Sequence, residues 1–179
     1  KKVKKNYLPS GVNIKFVEQE KPLGLGNAIL CAEKYIVDKF FAVVLPDDLI
    51  YGKTNDLKNL ILTSLRLNRQ TLLAKKINKK NICNYGIIKT INDKKVEYLI
   101  EKPKINEIDS DIAVIGRYVL DYKIFKILKN IKHGKNKEIQ LTDALNVLIK
   151  NENVNFLFVK GRHYDCGSLE GYKKAYTEI

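Results

Sequence analysis

The sequence predicts an α/β fold in which a mixed, mainly parallel sheet lies between helices. An unbroken apolar run at residues 41–45 is followed by Asp47 and Asp48, which is typical of a strand buried on both faces of a parallel sheet. An alternating segment at 13–19, a glycine-bearing loop and a helical pattern precede this run, in the order of a β-α-β unit. Strand-like and helix-like patterns continue to alternate along the rest of the chain.

The individual elements follow from apolar spacing, which has a period of two in strands and about 3.6 in helices. Strands are predicted at 13–19, 41–45, 70–77, 85–91, 96–100, 112–119 and 154–159, and helices at 28–37, 56–67, 124–131, after Thr142, and at 169–176. Loops are predicted at 20–27, 52–55, 79–84 and 161–168, and a hairpin turn at 92–95. Thr142 is expected to cap its helix, with Asp143 in the favourable first turn.

The chain of 179 residues predicts one domain, 1–179, that is large enough for a hydrophobic core. No apolar run approaches the roughly 20 residues that span a bilayer, so we expect no membrane partner. The basic start at 1–6 is not followed by an apolar segment, which argues against a secretory signal. Three widely spaced cysteines (Cys31, Cys83 and Cys166) form neither a zinc pattern nor a disulfide framework. A reduced, cytoplasmic location is therefore predicted.

The net charge of +13 raises the hypothesis of a nucleic-acid surface. Nearly all of the 33 basic residues are lysines, and they are scattered rather than gathered on one helix or arm. We therefore favour a solvated basic surface and expect no nucleic-acid partner. Such a surface would still steer anionic small molecules towards the protein.

Two acids occupy positions where an α/β sheet binds ligands. Asp47 follows the 41–45 strand, and Asp165 follows the 154–159 strand after a short loop. Ligands of open α/β sheets lie at the carboxyl ends of strands, and two carboxylates can hold one Mg²⁺ ion together with substrate phosphates. The alternative is a solvated Asp-Asp turn. His163 could be a metal ligand or a base, although a single loop histidine is more often neither.

Two further groups of residues could bind an anionic ligand. The Gly24-Leu25-Gly26 loop would let backbone amides approach a phosphate at a helix start, but it lacks the spacing of a dinucleotide fingerprint or a P-loop. A structural turn is the alternative. Glu101 and Lys102 stand at a predicted strand end, where the lysine could bind a phosphate and the glutamate could accept hydrogen bonds from sugar hydroxyls. An exposed ion pair of little energetic effect is the alternative.

Seven segments occur in the order found in a known family. They are 19–31, Leu45-Pro46-Asp47, Tyr85-Gly86, Glu101-Lys102-Pro103, Ala113-Val114-Ile115-Gly116-Arg117-Tyr118, Glu138-Ile139-Gln140-Leu141-Thr142-Asp143 and Asp165-Cys166-Gly167. In this respect the chain resembles the bacterial UTP–glucose-1-phosphate uridylyltransferases over essentially its whole length. The resemblance implies a nucleotide-diphospho-sugar transferase fold of Rossmann-like type, with UTP and glucose 1-phosphate as substrates and Mg²⁺ as cofactor. It also implies UDP-glucose and pyrophosphate as products, and we expect a homo-oligomer.

The resemblance also implies roles for individual residues. The residues that match family site positions are Gln19 and Gly24 at the uracil edge, Asp47 and Asp165 as Mg²⁺ ligands, Gly86 and Glu101 at the glucose, Lys102 at the sugar phosphate, and Gly116, whose backbone lies near the sugar. Asp47, Asp165 and Lys102 would be the catalytic residues.

One departure from the family pattern concerns the nucleotide. The family begins with a strand and a G-x-G-T-R loop that grips the triphosphate, and no such segment occurs in this chain. We therefore expect a fragment, a split gene product or a decayed copy, with exposed sheet edges and apolar surface. The alternatives to an active transferase are a non-catalytic remnant that binds partners or a sugar nucleotide and, on charge alone, a basic nucleic-acid-binding module.

Overall fold

The computed structural model describes residues 10–92, 95–131 and 138–179. The helices in these ranges are α1 (Leu25–Ala32), α2 (Asp56–Leu67), α3 (Ile124–Asn130), α4 (Leu141–Asn151) and α5 (Leu169–Glu178). The strands are β1 (Phe40–Val44), β2 (Asp48–Tyr51), β3 (Thr71–Lys76), β4 (Gly86–Ile91), β5 (Lys95–Glu101), β6 (Ile112–Asp121), β7 (Asn155–Phe158) and β8 (Arg162–Asp165). None of the described helices combines the length and apolar character needed to cross a bilayer.

Six strands form one sheet that is organised around β6. The order is β5-β4-β6-β3-β7, and β1 also pairs with β6. β4 pairs with the beginning of β6 and β1 with its end. The sheet is mixed, as predicted. The expectation of a mainly parallel sheet is wrong for the described strands, because β6 runs antiparallel to β1, β3 and β4, and only β3 and β7 form a parallel pair.

The sheet lies between helices, as predicted. Successive residues of β3 point to opposite faces of the sheet: Leu72 packs into a core with α1, α3 and α4, whereas Leu73 packs with Leu60 of α2. Leu60 and Leu72 are completely buried, and each contributes roughly 1.5–3 kcal/mol to folding by leaving water. The two helical layers therefore hold the sheet from both sides.

The strand that was predicted to be buried on both faces is not. Residues 41–45 do form a strand, β1, but its one partner among the described strands is β6, and Val44 is 46% exposed. Consecutive buried residues on both faces occur instead in β3 and in β6, where Val114 and Ile115 belong to different cores. An apolar run indicates a strand but does not determine which neighbours flank it.

The strand predicted at 13–19 does not form. This segment has no regular secondary structure, and its apolar side chains lie open to solvent, with Phe16 73% exposed. Alternating side chains favour a strand only where a neighbouring strand supplies hydrogen bonds, and none of the described strands pairs with this segment. The structure thus has the exposed apolar surface that was expected.

A second, two-stranded sheet was missed. β2 and β8 pair antiparallel. The sequence predicted that β2 is only the end of the preceding strand and that β8 lies in the loop 161–168. The segment 79–84 forms a 3-10 helix (Lys79–Asn84) rather than a loop. The predicted turn 92–95 includes residues 93 and 94, which lie outside the described part of the chain, as does the basic start at 1–6. The other predicted elements are confirmed, and most of their boundaries lie within three residues of the predicted ones. The exception is the first helix, predicted at 28–37: α1 begins at Leu25, inside the predicted loop 20–27, and ends at Ala32.

Candidate active site

A cavity of about 350 Å³ opens where β1, β5 and β8 end and where α4 begins. Six of the eight predicted site residues line it: Asp47, Gly86, Glu101, Lys102, Gly116 and Asp165. Gln19 and Gly24 do not belong to its lining, although the neighbouring Leu25 does. A larger groove of about 570 Å³ lies between α2 and β7, and none of the predicted residues lines it. The cavity is therefore the candidate active site.

The two predicted metal ligands meet across the small β2–β8 sheet. Asp47 immediately precedes β2, and Asp165 is the last residue of β8. The amide of Cys166 donates a hydrogen bond of 2.7 Å to the carbonyl oxygen of Asp47. A Cβ atom on Gly167 would lie 3.0 Å from Oδ2 of Asp47 and 3.1 Å from Oδ1 of Asp165. Both carboxylates therefore reach the same small space, which a glycine leaves open.

This pair fits a magnesium ion. The described residues contain no cluster of three or more His, Cys, Asp or Glu side chains that could hold a metal. Magnesium does not need such a cluster, because it usually keeps several waters and is held by one or two carboxylates together with substrate phosphates. The convergence of Asp47 and Asp165 beside Gly167 matches this requirement.

Tyr85 fixes one of these carboxylates. Its hydroxyl donates a hydrogen bond of 3.1 Å to Oδ2 of Asp165, and the amide of Gly167 donates one of 3.1 Å to Oδ1. Burial of the hydroxyl and the nearby carboxylates of Asp165 and Asp48 raise the pKa of Tyr85 to about 12. Tyr85 therefore remains protonated at neutral pH and acts as a donor to Asp165. Sequence reasoning quoted Tyr85 as part of a motif without giving it a role.

Asp48 is held by the protein rather than left open to a ligand. Its Oδ2 accepts a hydrogen bond of 3.0 Å from the amide of Gly116, and its Oδ1 contacts Nε2 of His163. His163 was considered as a metal ligand or a base, and its buried ring instead forms this contact. Two adjacent aspartates in a sequence give no sign of which one the fold will engage.

The pair Glu101-Lys102 lies at the end of β5 beside the cavity. Gly86 is opposite Glu101 in the β4–β5 ladder, and a Cβ atom on Gly86 would lie 3.2 Å from Oε2 of Glu101. Burial raises the pKa of the Glu101 carboxyl, and Lys102 acts in the opposite direction. Lys102 has φ of 45°, an uncommon backbone conformation for a residue other than glycine that concentrates at functional sites.

Lys102 is available to a ligand. Its amide donates a hydrogen bond of 3.0 Å to the carbonyl oxygen of Tyr85, which fixes the backbone at this point. Its side chain forms no salt bridge with any residue that the structure describes, so the predicted alternative of an ion pair with Glu101 is wrong there.

Thr142 lines the cavity beside Glu101. The residue is 8% exposed, and its hydroxyl lies near enough to Glu101 to favour the charged form of that carboxyl, but among the described residues it makes no hydrogen bond of good geometry. The prediction that it caps its helix is wrong, because α4 begins at Leu141 and Gln140 occupies the cap position. Asp143 does lie in the first turn, as predicted. A buried hydroxyl that lacks a well-placed partner loses part of its hydrogen-bond energy, so a polar ligand in the cavity would offset this loss.

The predicted nucleotide contacts lie together outside the cavity lining. The side-chain amide of Gln19 donates hydrogen bonds from Nε2 to the carbonyl oxygen of Gly24 (3.1 Å) and to Oδ1 of Asn27 (2.8 Å). Gly24 has φ of 89° at the cap position of α1, a conformation that favours glycine. A Cβ atom on Gly26 would approach the carbonyl oxygen of Ile139 to 2.6 Å. Close packing against Ile139 therefore explains why residue 26 is a glycine. Gly24 and Gln19 remain candidates for the contact with uracil.

Comparison with known proteins places these observations in a family. A family model described as nucleotidyl transferase matches residues 1–179. A UTP–glucose-1-phosphate uridylyltransferase of Bacillus subtilis is 40% identical over 171 residues, which cover 93% of this chain and 58% of the relative. The corresponding protein of Mycoplasma genitalium is 38% identical over 169 residues, with 91% and 58% covered. The chain thus spans about 58% of the length of these relatives, and the resemblance drawn from its motifs is confirmed.

Solved structures agree with the sequence relatives. A UDP-glucose pyrophosphorylase in complex with UDP-glucose has a TM-score of 0.85 at 34% identity, with 92% of this chain and 66% of that chain covered. A UTP-bound enzyme of the same kind from Acinetobacter baumannii has a TM-score of 0.75 at 33% identity, with 88% and 56% covered. These scores confirm the nucleotidyltransferase fold predicted from the sequence.

Proposed function

We propose, from the premise that this chain belongs to the nucleotidyl transferase family, that it carries the sugar-phosphate and metal half of a UTP–glucose-1-phosphate uridylyltransferase site. The reaction would convert UTP and glucose 1-phosphate into UDP-glucose and pyrophosphate. The observation that carries this proposal is the cavity in which six predicted residues meet. Its sequence relatives bear the name of this activity.

The sugar phosphate would lie between Lys102 and the start of α4. Lys102 would hold the phosphate as a point charge. Glu101 and the hydroxyl of Thr142 would bind sugar hydroxyls, because the two side chains line the cavity next to one another and neither is fixed by a hydrogen bond of good geometry within the described residues. Gly86 would admit the sugar, since a Cβ atom there would fill the space beside Glu101 and Thr142, and the backbone of Gly116 in the cavity wall would lie near the sugar.

Asp47 and Asp165 would hold Mg²⁺, for which their convergence beside Gly167 is the support. When bound, the ion supplies charge neutralisation and alignment for the phosphates. The protein's own residues position the reactants: a phosphate oxygen of glucose 1-phosphate bonds to the α-phosphorus of UTP while the bond to pyrophosphate breaks. Such a transfer depends on positioning and electrostatics, so no covalent protein intermediate is proposed.

The nucleotide end of the site rests on fewer contacts. We assign Gln19 and Gly24 to the uracil by their match to the family motif, and their mutual hydrogen bond would orient them together. A homo-oligomeric state and a cytoplasmic location stay predictions, as does the absence of a nucleic-acid partner.

Pyrophosphate release from UTP, glucose 1-phosphate and Mg²⁺ by this exact chain tests the proposal. An active transferase would give release that depends on all three components and that Asp47→Asn removes. The control is Asp109→Asn, because Asp109 lies in an exposed ion pair with Lys79. Release that persists without glucose 1-phosphate would refute the assigned acceptor.

A second candidate function is binding of the sugar phosphate without turnover. It is favoured by the cavity itself, since residues assigned to the sugar and phosphate line it and those assigned to the uracil do not. Calorimetric titration with glucose 1-phosphate and with UDP-glucose, run beside the pyrophosphate assay, separates the two. Binding without pyrophosphate release would select the second candidate.

A further inference from the structure

The two assigned metal ligands depend on a very small sheet. β2 and β8 are four residues long each, and two strands of this length are at best marginally stable by themselves. Part of this sheet lies open to solvent, with Leu49 40% and Tyr51 51% exposed. Some other interaction must therefore hold the β2–β8 sheet, and with it Asp47 and Asp165, in a fixed position against the main sheet.

Asp48 supplies one such interaction. It stands opposite Asp165 in the ladder, and its carboxylate reaches the amide of Gly116 in β6 and the ring of His163 in β8. The side chains of His163 and Asp48 are only 3% and 13% exposed. One carboxylate thus joins β2, β8 and the central strand of the main sheet, next to both assigned ligands.

Arg117 strengthens the same junction. Its guanidinium donates hydrogen bonds of 2.8 Å to the carbonyl oxygens of Leu45 and Gly116, and another to that of Asp48. The amide of Leu45 donates one of 2.8 Å to the carbonyl oxygen of Gly116. The chain on either side of Asp47 is therefore tied to β6 by its backbone, and Asp48 adds the connection to β8.

We propose that Asp48, through His163 and the amide of Gly116, is a positioning residue that sets the spacing of Asp47 and Asp165 for a divalent cation. The inference rests on the proposed function, because it takes the assignment of these two ligands as given. Asp48 itself does not bind the metal, since both of its oxygens are engaged by the protein. Residues that support metal ligands in this way typically change metal affinity about 10- to 100-fold when mutated.

The test compares Asp48→Ala with Asp48→Asn. Asparagine keeps an oxygen that can accept from Gly116 and an amide that can donate to a neutral His163 ring, whereas alanine keeps neither. Affinity for Mn²⁺, measured from the electron paramagnetic resonance of the free ion, should fall at least about 10-fold in Asp48→Ala. In Asp48→Asn the affinity for Mn²⁺ should stay within about threefold of that of the original chain. Asparagine loses the charge but keeps both hydrogen bonds, and with them the geometry.

A second measurement reports geometry without a metal. Hydrogen exchange of the Cys166 amide, which bonds to Asp47 across the two strands, should accelerate in Asp48→Ala and remain slow in Asp48→Asn. His163→Leu removes the other half of the contact and should resemble Asp48→Ala, and the double variant should be no worse than either, because both remove one interaction. If Asp48→Ala does not fold, the Mn²⁺ affinity and the amide exchange of His163→Leu are compared with those of Asp48→Asn instead.

The outcomes separate this inference from the proposed function. If the original chain binds no Mn²⁺, or Asp47→Asn leaves binding unchanged, the metal assignment fails, and this inference fails with it. If Asp47→Asn abolishes binding but Asp48→Ala or His163→Leu has no effect on affinity or exchange, only the positioning role is overturned. Equal losses in Asp48→Asn and Asp48→Ala would overturn it too, because they would make Asp48 a ligand. Asp109→Asn should change neither readout.

Discussion

The hydroxyl of Tyr85 donates a hydrogen bond to Oδ2 of Asp165 from a position 80 residues away in the sequence. Tyr85 immediately precedes β4 of the main sheet, and Asp165 ends β8 of the small sheet. The contact therefore joins the two sheets at the candidate metal site.

Replacing Tyr85 by phenylalanine tests the importance of this contact. Hydrogen bonds to charged groups contribute about 1.5–3 kcal/mol, so we expect Tyr85→Phe to lower turnover by roughly tenfold or more. The measurement is the steady-state rate of pyrophosphate release. Tyr176→Phe is the control, because Tyr176 is exposed. Equal rates for the two variants would contradict a role for the hydroxyl.

Neutralising either assigned metal ligand should abolish turnover that depends on Mg²⁺. Asp47→Asn and Asp165→Asn keep the size of the side chain but remove the charge that a hard cation requires. In an enzyme whose nucleotide-binding residues are also present, we expect pyrophosphate release to fall at least about 100-fold in each variant. The circular dichroism spectrum should not change. Unchanged turnover in either variant would remove that residue from the metal site.

Lys102→Ala should weaken the use of glucose 1-phosphate. The ammonium group is unpaired among the described residues and lines the cavity, and loss of a contact to a phosphate typically costs about 1.5–3 kcal/mol. We expect KM for glucose 1-phosphate to rise roughly tenfold or more while KM for UTP is preserved. Lys104→Ala, a nearby exposed lysine, is the matched control. An effect confined to UTP would show that Lys102 is assigned to the wrong substrate.

Thr142→Val separates ligand binding from stability. Valine has nearly the same shape, and the hydroxyl it removes makes no hydrogen bond of good geometry with a described residue, so we expect the free energy of unfolding to change by less than about 1 kcal/mol. Glucose 1-phosphate should bind more weakly, as measured by calorimetry. Thr71→Val should instead destabilise the chain, since the hydroxyl of Thr71 donates to the carbonyl oxygen of Arg69. Unweakened binding in Thr142→Val would exclude the hydroxyl from the sugar site.

Glu101 should make stability depend on pH. Burial raises its pKa in the folded state, so between its unfolded and folded pKa the folded chain binds more protons than the unfolded chain, and stability falls as pH rises through this window. Glu101→Gln should therefore unfold at higher urea concentration than the original chain at pH 7, with a difference that shrinks near pH 4.5. A difference that grows as pH falls would contradict this sign.

The sequence by itself determined most of the regular elements and six of the residues that line the candidate site. Apolar spacing located α2 and α4, because burial on one face of a helix is a local property of residues three to four positions apart. The motifs supplied Asp47, Glu101, Lys102 and Asp165, because a phosphate and a hard cation select few residue types.

The tertiary structure alone decided which strand is central and what each polar group contacts. β2 and β8 went unrecognised because a four-residue strand has too little periodicity to detect, and its partner lies more than a hundred residues away. The hydrogen bonds of Asp48 and the position of the Thr142 hydroxyl beside Glu101 were unforeseen for a related reason. Contacts between distant segments depend on their relative position in space, which local residue patterns do not encode.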